Sequence, residues 1–358
     1  MVSPMATPAA EVDAGGVPVR VTSPDRVIYE ATDRTPEITK LQVVEYYVAV
    51  ADGIMRALRD RPVALERWPK GVHEGIRLST GYGDKADAFY QKRVMKGAPS
   101  YVDTARVTFP SGREADEVCV TGIATVAWCA QMGALTFHPW PTRRDDNDRP
   151  DELRIDLDPQ PGTGFADAVR VAGVARSLLS DLGITGYVKT SGHRGVHIYV
   201  RIEPRWDFVD VRHAAIAFGR ELEKRDDGVT TNWWKEERGE RIFVDFNQNS
   251  RDRTIASAWS LRPLPGAPVS TPVTWDELAT VEDPRDLNIL TVPGRADPWA
   301  GIDDVAHSLQ PLLDLWEAHP VELNYPPDYP KMPGEPPRVQ PSKKVAEHWD
   351  ENGQRIAP

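Results

Sequence analysis

The sequence predicts a mixed α/β (α+β) chain built around one βαββαβ unit, on three observations. Strand-period and helix-period segments follow one another in that order between Leu153 and Phe246. The 358 residues are 40% apolar and 27% charged, which suits a chain with a sizeable core and excludes a disordered, collagenous or disulfide-scaffold protein. No run approaches the roughly 18 consecutive apolar residues of a membrane helix, so no membrane contact is expected.

Taken in order, residues 1–19 hold Ala, Pro, Gly and Val without a period and are expected to form a disordered tail. A folded body is expected over 20–318, divided into an N-terminal α/β part (20–150), the βαββαβ part (151–275) and a helical closing part (276–318). Thr35 as N-cap and Pro36 in the first turn open a long helix carrying Ile38, Leu41, Val44, Val48 and Met55, which stops at Arg61-Pro62. Strands are expected over 62–67 and 75–78. Val118–Met132 reads as a buried helix ending at Gly133, and Cys119 and Cys129 within it as reduced core thiols, not a disulfide or zinc pair.

Leu153–Asp158 then alternates, Phe165–Leu182 is helical and closes at Gly183, Gly186–Thr190 and Val196–Ile202 flank a glycine-rich turn, Asp207–Lys224 is helical, and Arg241–Phe246 alternates again. This is the order of a ferredoxin-like or RNA-recognition-like unit. Short helical pieces at 276–279 and 303–318 close the body. The extension over 319–358, with nine prolines from Pro320 onward, is expected to lie along the surface or extend freely.

A net charge of −11 excludes a general positive field drawing the molecule to nucleic acid or anionic lipid, so any phosphate site must be local. Strand residues two apart share a face, which sets Asp156 beside Asp158, His197 with Tyr199, and Phe243 with Asp245, on faces that nothing in the pattern covers. Any one of these acids could merely cap a turn or end a strand. Three together repel one another unless a cation sits among them, and oxygen ligands in this number suit Mg²⁺ or Mn²⁺ with a phosphate substrate. The turn Thr190–Gly195 can aim backbone N–H groups at an anion, with Ser191, Arg194 and His197 as side-chain donors. Over Lys85–Arg106, Lys85, Lys92, Arg93 and Lys96 interleave with Phe89, Tyr90 and Tyr101, the mixture of cations and rings that suits a single strand or a splayed template.

Ile155-Asp156-Leu157-Asp158-Pro159, Ser191-Gly192-His193-Arg194-Gly195-Val196-His197 and Val244-Asp245-Phe246 resemble motifs I, II and III of the archaeo-eukaryotic primase superfamily, in particular the polymerase domain of bacterial DNA ligase D and stand-alone actinobacterial primase-polymerases. Arg67-Trp68-Pro69-Lys70-Gly71-Val72, Phe89-Tyr90-Gln91-Lys92-Arg93, His138-Pro139-Trp140 and Trp259-Ser260-Leu261-Arg262 extend the resemblance, which runs from about Val21 to Leu315.

The resemblance implies a primase-polymerase fold in which Asp156, Asp158 and Asp245 are catalytic and hold two Mn²⁺ or Mg²⁺ ions. Ser191, Arg194 and His197, with Arg262 and Gln248, would hold the incoming nucleotide. Phe89 and Tyr90 would stack on the template beside the DNA-binding Lys92 and Arg93, and Arg26 with Lys40 would receive a downstream 5′-phosphate. Two departures are visible: Arg194 stands where the family often has Lys, and Glu66 where Lys or Arg often precedes Arg-Trp-Pro.

The implied function is DNA-dependent nucleotidyl transfer that fills short gaps or extends ends in repair, with a preference for ribonucleotides. Its substrates would be gapped or broken DNA and NTP or dNTP, its partners a separate ATP-dependent DNA ligase and Ku, and its location the cytoplasm and nucleoid. De novo priming, a nuclease and a non-catalytic DNA-end-binding module remain alternatives; the three mutually repelling acids argue against the last. The sequence has no Lys-x-Asp-Gly string for a ligase's nucleotidyl-accepting lysine.

Overall fold

The computed structural model describes residues 8–79 and 86–326. Ala9–Asp13 (β1) and Pro18–Thr22 (β2) pair as an antiparallel hairpin, so most of the segment expected to be disordered is ordered. Its alternation buries Val19 and Val21, a pattern that the surrounding small residues obscure. Val27–Tyr29 (β3) pairs with Ile38–Thr39 (β4), and this pairing delays the first helix. The helix α1 (Lys40–Ala49) is capped by Thr39, not Thr35: the Thr39 hydroxyl accepts from Gln42 N while Gln42 Oε1 accepts from Thr39 N. Lys40 is therefore the first helical residue, not a second-turn one. α2 (Ala51–Leu58) follows after a break at Val50.

The N-terminal part centres on β5 (Pro62–Arg67), with β6 (Phe89–Gln91), β7 (Asp103–Thr108), β8 (Glu114–Cys119), α3 (Ile123–Gln131) and β9 (Ala134–Pro139). β9 lines one edge of β5, while β8 and β6 share the other and β7 lies outside β8. The buried helix expected over Val118–Met132 is instead a strand end, a turn and a shorter helix. Cys119 and Cys129 are nonetheless buried free thiols. Over 75–78 the chain makes only an isolated bridge at Leu78, not a strand.

The second part contains β10 (Glu152–Pro159), α4 (Phe165–Asp181), β11 (Tyr187–Thr190), β12 (Val196–Arg201), α5 (Phe208–Arg225), β13 (Val229–Thr230), α6 (Lys235–Arg238) and β14 (Ile242–Val244). β15 (Pro272–Val273), α7 (Trp275–Leu278) and α8 (Gln310–Ala318) complete the described chain. The sheet order is β13-β14-β10-β12-β11-β15, so the predicted four strands form its centre and two short strands guard the edges. β14 is shorter than expected. At Asp245 the chain turns into a 3₁₀ helix, Phe246–Asn249, with Asp245 as its N-cap.

α4 and α5 pack on one face of this sheet. The opposite face, expected to lie uncovered, is roofed by the N-terminal part. Arg154 Nη1 donates to Pro139 O at 2.7 Å, Thr136 Oγ1 to Leu261 O at 2.8 Å, and the apolar side chains of both parts form one continuous core. Arg61, Arg154 and Arg201 meet Asp151 and Glu152 at this seam. The start of the Pro-rich extension also packs: Tyr325 is buried against Arg212 of α5, whose side chain also bonds Glu322. Residues 327–358 lie outside the described residues. Among the described residues no helix is long and apolar enough to cross a membrane.

Candidate active site

The roof turns the charged sheet face into a cleft. Antiparallel register sets Asp156 on β10 opposite His197 on β12, and His197 opposite Lys189 on β11. His197 Nε2 lies 3.3 Å from Asp156 Oδ1. Asp245 joins the row because its backbone N–H donates to Asp156 O at 3.0 Å.

Burial, reinforced for two of them by a neighbouring carboxylate, raises all three acids. Asp156 is pushed up to about 6 by burial, opposed by Lys189 and Arg262. Asp245 is pushed up to about 7 by burial and then by Asp156, and Asp158 is raised by the same two causes in the same order. The acids neighbour one another in pairs. Among the described residues no three His, Cys, Asp or Glu side chains form a ready-made metal cage. The donor set nevertheless fits a hard divalent cation, because it offers oxygen ligands whose charges are imperfectly compensated.

The other predicted residues distribute unevenly. Ser191 Oγ is turned inward and accepts from Gly195 N at 3.0 Å and His193 N at 3.2 Å, so it shapes the turn. This turn requires its glycines: a Cβ at Gly195 would lie 2.9 Å from Leu157 O, and Gly192 has φ +72° with a would-be Cβ 2.6 Å from Arg262 Cγ. Arg194 is exposed near Asp158. Arg262 donates to Ser191 O at 3.3 Å, and its charge reaches Asp156, His197, Glu66 and Tyr90, placing it centrally in the cleft. Gln248 donates to Asp245 Oδ2 at 2.9 Å and so orients a carboxylate.

Phe89 and Tyr90 do not form one stacked pair. Arg67 sits over the Phe89 ring at 5.2 Å, whereas Tyr90 is 48% exposed and meets His138 edge-on, as alternate strand positions require. Lys92 and Arg93 line a separate pocket of about 280 Å³ with Phe109 and Arg113, and Lys92 pairs with Asp252. Lys85 lies outside the described residues. Arg26 and Lys40 line a pocket of about 150 Å³ at the start of α1, where Lys40 Nζ donates to Thr22 O at 2.8 Å and Gln131 Oε1 at 3.1 Å.

Sequence reasoning missed Lys189 altogether, and it named Glu66 and His138 without showing that they meet. Lys189 shares its face with the charged row, and alternation along β11 is the signal that could have found it. Glu66 accepts from Trp68 Nε1 at 3.1 Å and bonds His138 Nε2 at 3.1 Å, so the buried acid that departs from the family pattern has its hydrogen bonds satisfied locally, and only the fold brings Glu66, Trp68 and His138 together.

Residues 39–301 match the family described as LigD, primase-polymerase domain. The chain is 32% identical over 302 residues to the multifunctional non-homologous end joining protein LigD of Mycolicibacterium smegmatis, covering 83% of this chain and 37% of that protein. It is 29% identical over 287 residues to the Pseudomonas aeruginosa protein of the same name, covering 80% and 32%. The chain thus spans about a third of the length of these curated relatives. The solved polymerase domain of Mycobacterium tuberculosis ligase D, in complex with DNA, superposes with a TM-score of 0.68 at 28% identity, covering 81% of this chain and 99% of that one. The chain therefore belongs to the LigD primase-polymerase domain family, a family of nucleotidyltransferases of the DNA/RNA polymerase type.

Proposed function

We propose that this chain is a DNA repair polymerase of end joining, which fills short gaps or extends ends on broken DNA and works with a separate ATP-dependent ligase and Ku. The observation that carries this reading is the row Asp245–Asp156–His197 under a roof that carries the exposed ring of Tyr90. Asp156, Asp158 and Asp245 would hold two divalent ions, Mg²⁺ or Mn²⁺, which when bound activate the attacking 3′-oxygen and stabilise the leaving pyrophosphate. Divalent metals are general to the family; the number of ions is part of the proposal. His197, Arg194 and Arg262 donate to the triphosphate, Ser191 braces the turn that carries Arg194, and Gln248 holds Asp245 in its rotamer. A preference for ribonucleotides belongs to the same proposal. Primer extension on gapped, nicked and open templates, with NTP or dNTP and either metal, tests it. Incorporation on the gapped template is expected, and nucleotide-independent loss of DNA ends would overturn the reading in favour of a nuclease.

The pocket at α1 suits a terminal phosphate, since Lys40 stands at a helix start and Arg26 is close enough to help lower its pKa, after burial, to about 8. Lys40→Ala is expected to weaken binding to gapped DNA bearing a downstream 5′-phosphate by about 1.5–3 kcal/mol. The same gap with a 5′-hydroxyl should bind the variant and wild type alike. A gel-shift comparison in which wild type ignores the phosphate would remove the pocket from the reading.

Replacing Tyr90 by Ala is expected to weaken templated gap filling by about 1–3 kcal/mol, one base–aromatic stack, while sparing nucleotide binding without DNA. Phe89→Ala should act less on templating, because its ring contacts Arg67. Normal copying of a gapped template by the Tyr90 variant would exclude the stacking role.

A further inference from the structure

Lys189 is fully buried, and burying an amine costs free energy that a Met of the same length would avoid. What offsets that cost is a pair of hydrogen bonds, to Ser270 Oγ and to His197 Nδ1, the latter at 2.8 Å. The direction of both can be worked out. Ser270 Oγ donates its own proton to Thr190 O at 3.1 Å, so it accepts from Lys189 Nζ. An ammonium Nζ has no lone pair and can only donate to His197 Nδ1; an amine Nζ could also accept there, but it keeps an N–H for Nδ1 while the Asp156 carboxylate beside Nε2 calls for the ring proton. An imidazole nitrogen that accepts a hydrogen bond carries no proton, and in a neutral ring the proton therefore sits on Nε2, 3.3 Å from Asp156 Oδ1.

We infer that Lys189 is a positioning residue that locks His197 in its Nε2–H tautomer and aims that proton at the Asp156 side of the cleft. The tautomer follows from the hydrogen-bond geometry; its use, donation to the incoming nucleotide's phosphate, rests on the function proposed above. The device spans three strands, because β11 supplies the lysine, β12 the imidazole and β10 the carboxylate at directly opposed register positions. Ser270, just before β15, fixes the far end.

Long-range ¹H–¹⁵N spectra of the metal-free chain, with the His197 signals identified by their loss in His197→Ala, read the tautomer directly. Wild type should show a protonated Nε2 and a bare Nδ1, and Lys189→Met should give a mixture of tautomers. An Nδ1–H ring in wild type, or an unchanged pattern in Lys189→Met, overturns the inference. In a second arm with GTP and Mg²⁺ as probe, Lys189→Met should weaken nucleotide binding about tenfold. It should add less than about twofold in the His197→Ala background. Additive losses would show that Lys189 acts otherwise than through His197. Should Lys189→Met not fold, Ser270→Ala decides: one Nζ N–H still reaches Nδ1, so the Nε2–H tautomer should persist, and a switch refutes the assignment. If wild type binds no nucleotide, the proposed function fails while the spectra still decide the tautomer.

Discussion

Asp156→Asn should abolish nucleotide incorporation, to below about a thousandth of wild type, without unfolding the protein. The amide keeps the volume of the carboxylate but lacks its charge and one acceptor oxygen. Asp156 is also the acid that connects the other two, since its charge contributes to raising both Asp158 and Asp245. In the metal-free protein the same change should not lower thermal stability at neutral pH. The sign follows from linkage: Asp156 and Asp245 have folded pKa values raised to about 6 and 7, so the folded state binds these protons more tightly than the unfolded chain. Their contribution thus favours folding most in acid and is lost as pH rises from about 4 through 7. A divalent ion should restore stability at the upper end of that range, in wild type more than in Asp156→Asn. Primer extension and thermal melts at pH 5 and 8 measure both effects; near-normal extension by the variant would discard the metal assignment.

Arg61→Met should destabilise the fold by about 3–5 kcal/mol, the loss typical of removing one partner from a buried ion pair. Arg61 is fully buried and bridges Asp151 at 2.6 Å and Glu152 at 2.9 Å. Arg143 and Arg201 also touch Asp151, and Arg154 and Arg201 touch Glu152, so the acids would keep some compensation. The pH signature is opposite to that of the cleft. Although burial opposes it, the surrounding arginines hold Asp151 and Glu152 below the ordinary carboxylate range. This contribution is therefore fully present at neutral pH and lost only as the solution becomes strongly acid. Urea titrations at pH 7 and 4 distinguish the two clusters. A loss under about 1 kcal/mol at pH 7 would mean that the remaining arginines suffice.

Much of the catalytic part was legible because its signals are local. Period-two alternation marks β10, β12 and the face that Asp156 and Asp158 share, and Asp207 before an apolar helix announces α5, where its side chain accepts from Val209 N and Asp210 N. The errors fall where a nonlocal pairing overrides a local preference. Thr35-Pro36 is a credible helix start, yet pairing of β3 with β4 keeps the backbone extended until Thr39. Val118–Met132 is predominantly apolar, so periodicity could not show that Cys119 ends a strand.

The sequence by itself determined the βαββαβ order, the family and the three carboxylates, since strand alternation and turn glycines act over a few residues. Only the tertiary structure decided that the N-terminal part roofs the charged face and that Lys189, His197 and Asp156 stand in one row. Register across neighbouring strands and the packing of distant segments depend on contacts between residues far apart in the chain, and these are what convert an exposed acidic face into a cleft with raised carboxylate pKa values.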